Sequence, residues 1–316
     1  MEFAIETSGL TKRYGNLTAV NKLNLKVKAD TVHGFLGPNG AGKTTTIKIL
    51  VGLLKPDSGS VMVLGKELGW DKPDIRLKIG YMPELPKFPK HLKGRELLEI
   101  YGKMYGMTEQ DRREQIPRLL EKAGLKGREN DLLGKYSKGM QQRLGMAQAL
   151  LNEPELIILD EPTIGLDPVG MVEVRELVKE IVKEGVTVFL SSHLLNEVQQ
   201  VCSHVTIINK GESIASGTLE EISALVAGPV MIEVEVDKLS DKVIKKVESL
   251  PFVVGVSKKD KWLYIKMNTN EDVRSKVSQA ITAGGGNVIS MNLKGRTLED
   301  AFMQLITGRL EKEAVK

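Results

Sequence analysis

Residues 37–44, Gly37-Pro38-Asn39-Gly40-Ala41-Gly42-Lys43-Thr44, form a complete G-x-x-x-x-G-K-[ST] pattern, and this stretch constrains the fold more than any other. Apolar Val32, Phe35 and Leu36 lead into it as a strand would, and Ile47, Ile49, Leu50, Leu53 and Leu54 follow it as a helix would. A phosphate-binding loop requires that context of strand, tight turn and helix start. The glycines let successive N–H groups turn inward toward phosphate oxygens, and the new helix offers the positive end of its dipole to the same anion. Lys43 is placed to neutralise β- and γ-phosphates, and the Thr44 hydroxyl to ligate Mg²⁺. Gly37, Pro38, Asn39, Gly40, Ala41, Gly42, Lys43, Thr44 and the adjoining Thr45 are therefore the expected nucleotide cradle.

The 316 residues exceed what one compact core usually needs, so two domains are expected. A net charge of +4 is nearly balanced over that length, and no dense basic block occurs. Aromatic residues make up only 4%, which leaves little material for stacking on bases, so no nucleic-acid partner is expected. Cys202, the single cysteine, sits beside Val201 and reads as a buried small side chain in a reducing compartment. The N-terminus shows no basic region leading into an apolar stretch, and no run of about eighteen uncharged apolar residues occurs. The expectation is a cytoplasmic chain that does not cross a membrane by itself.

Along the chain, residues 3–28 read as antiparallel β structure, because Leu23, Leu25 and Val27 alternate with Asn24, Lys26 and Lys28. Tyr14 is placed in the loop ahead of that strand, where it can stack on a base. A turn at Pro56-Asp57-Ser58-Gly59 introduces a strand carrying Val61 and Val63. From about Pro83 to Leu151 helical spacing dominates, in Leu97, Leu98, Tyr101 and Met104 and again in Ile116, Leu119 and Leu120. Within this segment Tyr136-Ser137-Lys138-Gly139-Met140 opens another helix, whose free N–H groups are available to an anion.

Leu156-Ile157-Ile158-Leu159 then reads as a buried parallel strand ending in Asp160-Glu161. Such strands deliver carboxylates to the edge where ligands bind. Asp160 is positioned to hold Mg²⁺ and Glu161 to polarise the attacking water. Gly165-Leu166-Asp167-Pro168 turns the chain into a helix, and a strand from Val186 runs into Ser191-Ser192-His193, again placing a side chain beyond a strand's C-terminal end. After a hairpin around Lys210-Gly211 these patterns stop. A helix and linker follow, closed by Gly228-Pro229. Residues 230–310 then read as strand, helix, strand, strand, helix, strand and a last helix over 298–310. The first six of these have the β-α-β-β-α-β order of a ferredoxin-like α+β domain.

Taken together, the loop at 37–44, Tyr136-Ser137-Lys138-Gly139-Met140, the strand ending in Glu161, Gly165-Leu166-Asp167 and His193 occur in one order that resembles the ATP-binding subunits of ABC transporters over residues 1 to about 220. The implied fold is an α/β ABC-type P-loop ATPase domain over 1–220, with an antiparallel β subdomain and a helical subdomain at about 84–151. A linker at 221–229 and a small C-terminal accessory domain at 230–316 complete it; the latter resembles domains appended to prokaryotic drug, antibiotic and ion exporters. The resemblance implies that ATP and Mg²⁺ are bound, that Tyr14 stacks on adenine, that Lys43, Glu161 and His193 are catalytic, and that Thr44, Glu84 and Asp160 surround the metal. Ser137 and Gly139 would contact the γ-phosphate bound to a second subunit and Asp167 is a further nucleotide-binding residue, so a homodimer or heterodimer on a transmembrane permease is implied, peripheral on the inner face of the membrane. The usual Leu-Ser-Gly-Gly-Gln signature is altered here, Glu84 stands where a glutamine is usual, and Ile164 where a serine is usual. Two other readings of the same residues are a soluble mechanical ATPase acting on nucleic acid or ribosomes, and a nucleotide-gated regulatory module of low turnover.

Overall fold

The computed structural model describes residues 1–69, 75–224, 230–269, 271–294, 302–303 and 305–306. They divide into two units, Met1–Leu219 and Glu220–Lys316.

The first unit opens with two twelve-residue strands, β1 (Phe3–Tyr14) and β2 (Leu17–Lys28), paired antiparallel. In β2 the alternation read from the sequence holds: Leu23, Leu25 and Val27 are buried while the residues between them face water. In β1 several register shifts break the two-residue period. Tyr14 is accordingly the last residue of β1, paired with Leu17, rather than part of a separate loop. The next elements are β3 (Val32–Leu36) and α1 (Lys43–Leu50), which flank the glycine loop, then β4 (Ser58–Val63) and β5 (Lys66–Glu67). The antiparallel sheet has the order β2-β1-β4-β5.

A short strand, β6 (Ile79–Met82), precedes three helices: α2 (Gly94–Met104), α3 (Glu109–Lys122) and α4 (Lys138–Leu150). The helices gather around their own core of Leu97, Leu98, Ile116, Leu120, Leu133 and Leu144. Thr108 caps α3 and Ser137 caps α4, each accepting a hydrogen bond from the backbone three residues on. Sequence periodicity does not reveal β6, since four residues including a glycine carry almost no pattern. Packing requires that glycine: a β-carbon on Gly80 would overlap the carbonyl of Ala149 in α4.

The chain continues through β7 (Leu156–Leu159), α5 (Pro168–Lys183), β8 (Thr187–Ser192), α6 (Leu195–Val201), β9 (His204–Asn209) and β10 (Glu212–Thr218). Six strands form the order β10-β9-β3-β8-β7-β6, parallel throughout except for β10. Every residue of β3, β7 and β8 is buried, which explains why β7 is continuously apolar instead of alternating. One core joins the two sheets through α1, with Leu10, Leu23, Ile47, Leu50, Ile158 and Phe189 among its members. That core fixes the C-terminal ends of β3, β7 and β8 side by side.

A short helix, α7 (Leu219–Ala224), crosses the division between the units. The second unit runs β11 (Val230–Val236), α8 (Asp241–Glu248), β12 (Val253–Lys259), β13 (Trp262–Met267), α9 (Arg274–Ala283) and β14 (Val288–Lys294). Its antiparallel sheet has the order β12-β13-β11-β14 and buries Ile232, Val234, Leu263 and Ile265 against Val243, Val247, Val277 and Ile281. Residues 225–229, including the expected Gly228-Pro229 closure, lie outside the described residues, as does most of the expected helix at 298–310. Among the described residues no helix is long and apolar enough to cross a membrane.

Candidate functional site

The site is built where β3, β7 and β8 end. From β3 the chain turns through Gly37–Gly42 into α1, whose N-cap Gly42 has φ +103°. That left-handed backbone suits glycine alone, and a β-carbon there would strike the Ala19 carbonyl of β2. The loop is tied at both ends: Gly37 N–H donates to Ser192 O at 3.2 Å and Gly211 N–H to Ala41 O at 2.9 Å.

Lys43, the first residue of α1, is only 6% exposed. Its ammonium donates to Gly37 O at 2.7 Å and Pro38 O at 3.3 Å, and it pairs with Glu161 Oε1 at 3.1 Å. The other Glu161 oxygen, Oε2, lies 2.8 Å from His193 Nδ1 and accepts a bond from His193 N–H at 3.3 Å. One carboxylate thus bridges the loop lysine and the histidine. Glu161 holds φ +49°, a strained conformation for a non-glycine residue and one that recurs at functional sites.

Asp160 is 1% exposed. Its Oδ1 accepts from Ser191 Oγ at 2.7 Å, the same hydroxyl oxygen accepts Glu161 N–H at 3.0 Å, and Thr44 also hydrogen-bonds to the Asp160 carboxylate. Burial raises the pKa of Asp160 above the ordinary carboxylate range, and the bonds from Ser191 and Thr44 oppose that rise. Nearby Tyr81 is pushed up to about 12, chiefly by burial and further by the Asp160 charge. The 160 backbone is itself placed by its N–H bond to Met82 O at the end of β6, 2.9 Å away.

These groups open onto a cleft of about 800 Å³. Tyr14, Ala19, Asn39 to Thr45 apart from Ala41, Glu84, Glu161 and His193 are among the residues that line it. Tyr14 is 48% exposed, with the Lys12 ammonium 5.9 Å from its ring centroid. Of the residues expected from the sequence, the structure brings together Tyr14, the 37–45 segment, Glu84, Asp160, Glu161 and His193. Ser137, Gly139 and Asp167 are not among the residues that wall this cleft. Ser137 and Gly139 lie at the start of α4, where a β-carbon added to Gly139 would come within 3.6 Å of the Leu166 side chain, and the next residue, Asp167, caps α5 by accepting Gly170 N–H at 2.7 Å.

Sequence reasoning named Ser191 only as context for His193 and gave it no role. The available signal was a small hydroxyl at the C-terminal end of a strand next to the acidic one. Lys210 and Ile164 also wall the cleft, and neither was expected to. Cys202 is buried, with its thiol pKa raised by that burial, so it has no part in this chemistry.

Among known proteins, residues 20–164 match the family described as ABC transporter. The bacitracin transport ATP-binding protein BcrA of Bacillus licheniformis is 37% identical over 98% of this chain and 99% of its own length. The linearmycin resistance ATP-binding protein LnrL of Bacillus subtilis strain 168 is 34% identical over 96% of this chain and 98% of its own. Among solved structures, a dimeric post-hydrolysis state of the ATP-binding cassette MJ0796 bound to ADP and Pi superposes with a TM-score of 0.62. It covers 68% of this chain and 98% of that one at 27% identity.

Proposed function

The chain belongs to the ATP-binding subunits of ABC transporters, and from that membership we propose that it works on the cytoplasmic face of a membrane, where two such subunits enclose two ATP molecules and drive a separate permease that moves an antibiotic or similar drug-like compound outward. As a member it binds and hydrolyses ATP. The observation that carries the residue-level reading is the Glu161 carboxylate held between Lys43 and His193 on the wall of the cleft.

The loop N–H groups and the start of α1 cradle the phosphates, and Tyr14 stacks on adenine with Lys12 behind its ring. A polyphosphate entering the loop competes with Glu161 for the Lys43 ammonium. As Lys43 turns to the phosphate, Glu161 Oε1 is released to orient and deprotonate water for in-line attack on the γ-phosphorus. His193 stays on Oε2 and fixes the direction of the carboxylate.

Thr44 and Asp160 are hard oxygen donors already joined by a hydrogen bond, a set that fits Mg²⁺, and Glu84 lines the same cleft as Thr44. The ion supplies charge neutralisation on the phosphates. Ser191 aims Asp160 and favours its ionised form by donating to it, against the effect of burial. Ser137 and Gly139, at the start of α4, together with Asp167, are assigned to the nucleotide held by the other subunit, since they lie outside this chain's own cleft.

Similarity along almost the whole chain to transport and resistance ATP-binding proteins favours this reading over a soluble mechanical ATPase. Tagged chain captured from gently solubilised native membranes should bring one polytopic membrane protein in stoichiometric amount. Capture of ribosomes, of DNA, or of no partner would remove the transport assignment while leaving the ATPase in place.

A further inference from the structure

We propose that Lys210 is a second phosphate-binding lysine, contacting the polyphosphate chain of the nucleotide from the β9–β10 turn; this rests on the cleft being the ATP site. The turn is fastened to the site by three bonds. Gly211 N–H donates to Ala41 O in the glycine loop at 2.9 Å, Asn21 N–H of β2 donates to Gly211 O at 2.9 Å, and Asn21 Nδ2 donates to Glu212 Oε1 at 2.7 Å. Ala19, Gly42 and Gly211 converge so closely that a β-carbon on Gly42 or Gly211 would meet the Ala19 carbonyl. The hairpin tip is thereby part of the wall, and its position is set by the phosphate loop itself.

Lys210 precedes Gly211 in this turn, with φ +48°, and is exposed on the cleft wall. Among the described residues lining the cleft, Lys43 and Lys210 are the lysines, against the carboxylates of Glu84 and Glu161. ATP brings several negative charges to a lining that already carries two carboxylates, and Lys210 adds a cation to that lining. It comes from the hairpin side of the loop, whereas Lys43 comes from the Glu161 side. The bond from Gly211 N–H to Ala41 O holds the residue after Lys210 against the loop that cradles phosphates, so phosphate is the group assigned to it.

Binding of ATP, ADP and adenosine should be measured calorimetrically on the wild type, Lys210→Ala, Lys210→Arg and Lys43→Ala. The wild type must bind ATP and Lys43→Ala must weaken it; failure of either strikes at the ATP-site reading itself. Given those, Lys210→Ala should weaken ATP and ADP by about three- to tenfold, the range for a partly solvated ammonium–phosphate contact, and leave adenosine unchanged. Lys210→Arg should recover most of the loss, and KM should rise more than kcat falls. The thermal unfolding midpoint of each variant, measured alongside, separates a loss of phosphate affinity from a loss of folding, and adenosine binding controls for an intact cleft. Unchanged ATP affinity in Lys210→Ala, or an equal loss for adenosine, would overturn the assignment.

Discussion

Ser191 carries no charge and bears on no substrate atom, yet two buried polar groups depend on its hydroxyl: it donates to Asp160 and accepts the Glu161 N–H. With Ser191 fully buried, an alanine there leaves a carboxylate oxygen and an amide without their partner. Ser191→Ala should destabilise the chain by about 1–3 kcal/mol in urea unfolding. It should also raise the Asp160 pKa further, because one of the two bonds opposing burial is lost. An unchanged unfolding midpoint would contradict this account. Sequence alone identifies the charged members of the site, because loop, carboxylates and histidine each follow a strand in a recognisable order. It cannot identify Ser191, since a serine after a strand has many ordinary uses and only the register of β7 beside β8 brings it to Asp160.

At the scale of elements, β3 combines two demands. Its centre must be buried on both faces, yet it carries His33, 2% exposed, between Phe189 and His204 with Nε2 at 2.9 Å from Thr206 Oγ1. Burial, and then the neighbouring His204, lowers the His33 pKa to about 3. The unfolded chain takes up that proton near pH 6.5, whereas the folded chain resists it until about pH 3, so stability is intact above 6.5 and falls as the pH drops between those values. Over acidification from about pH 7 to about pH 5 this one group should remove about 2 kcal/mol. His33→Gln should flatten that part of the urea-stability profile, and an equally steep fall in the variant would assign the acid sensitivity elsewhere. Elements with a sustained period, such as β2 and the helices around Leu97 and Ile116, are legible in the residue pattern alone. The bulges in β1 and the brevity of β6 hide those strands, because neither preserves a period long enough to read.

For the whole molecule, the residues expected around one nucleotide fall into two separate places on one chain. Tyr14, Lys43, Glu161 and His193 line the cleft, with Asp160 hydrogen-bonded to Thr44 of that lining, while Ser137, Gly139 and Asp167 lie at the starts of α4 and α5. On the proposed reading a single copy presents half of each of two sites, and turnover would require two copies. The most direct measurement is phosphate release per chain from Mg²⁺-ATP as chain concentration is raised, for the wild type and Glu161→Gln. The account predicts wild-type turnover that climbs with concentration to a plateau, and a Glu161→Gln plateau lower by about 10²-fold or more, the usual contribution of a general base. Turnover per chain that does not depend on concentration, or a Glu161→Gln rate close to wild type, would contradict it.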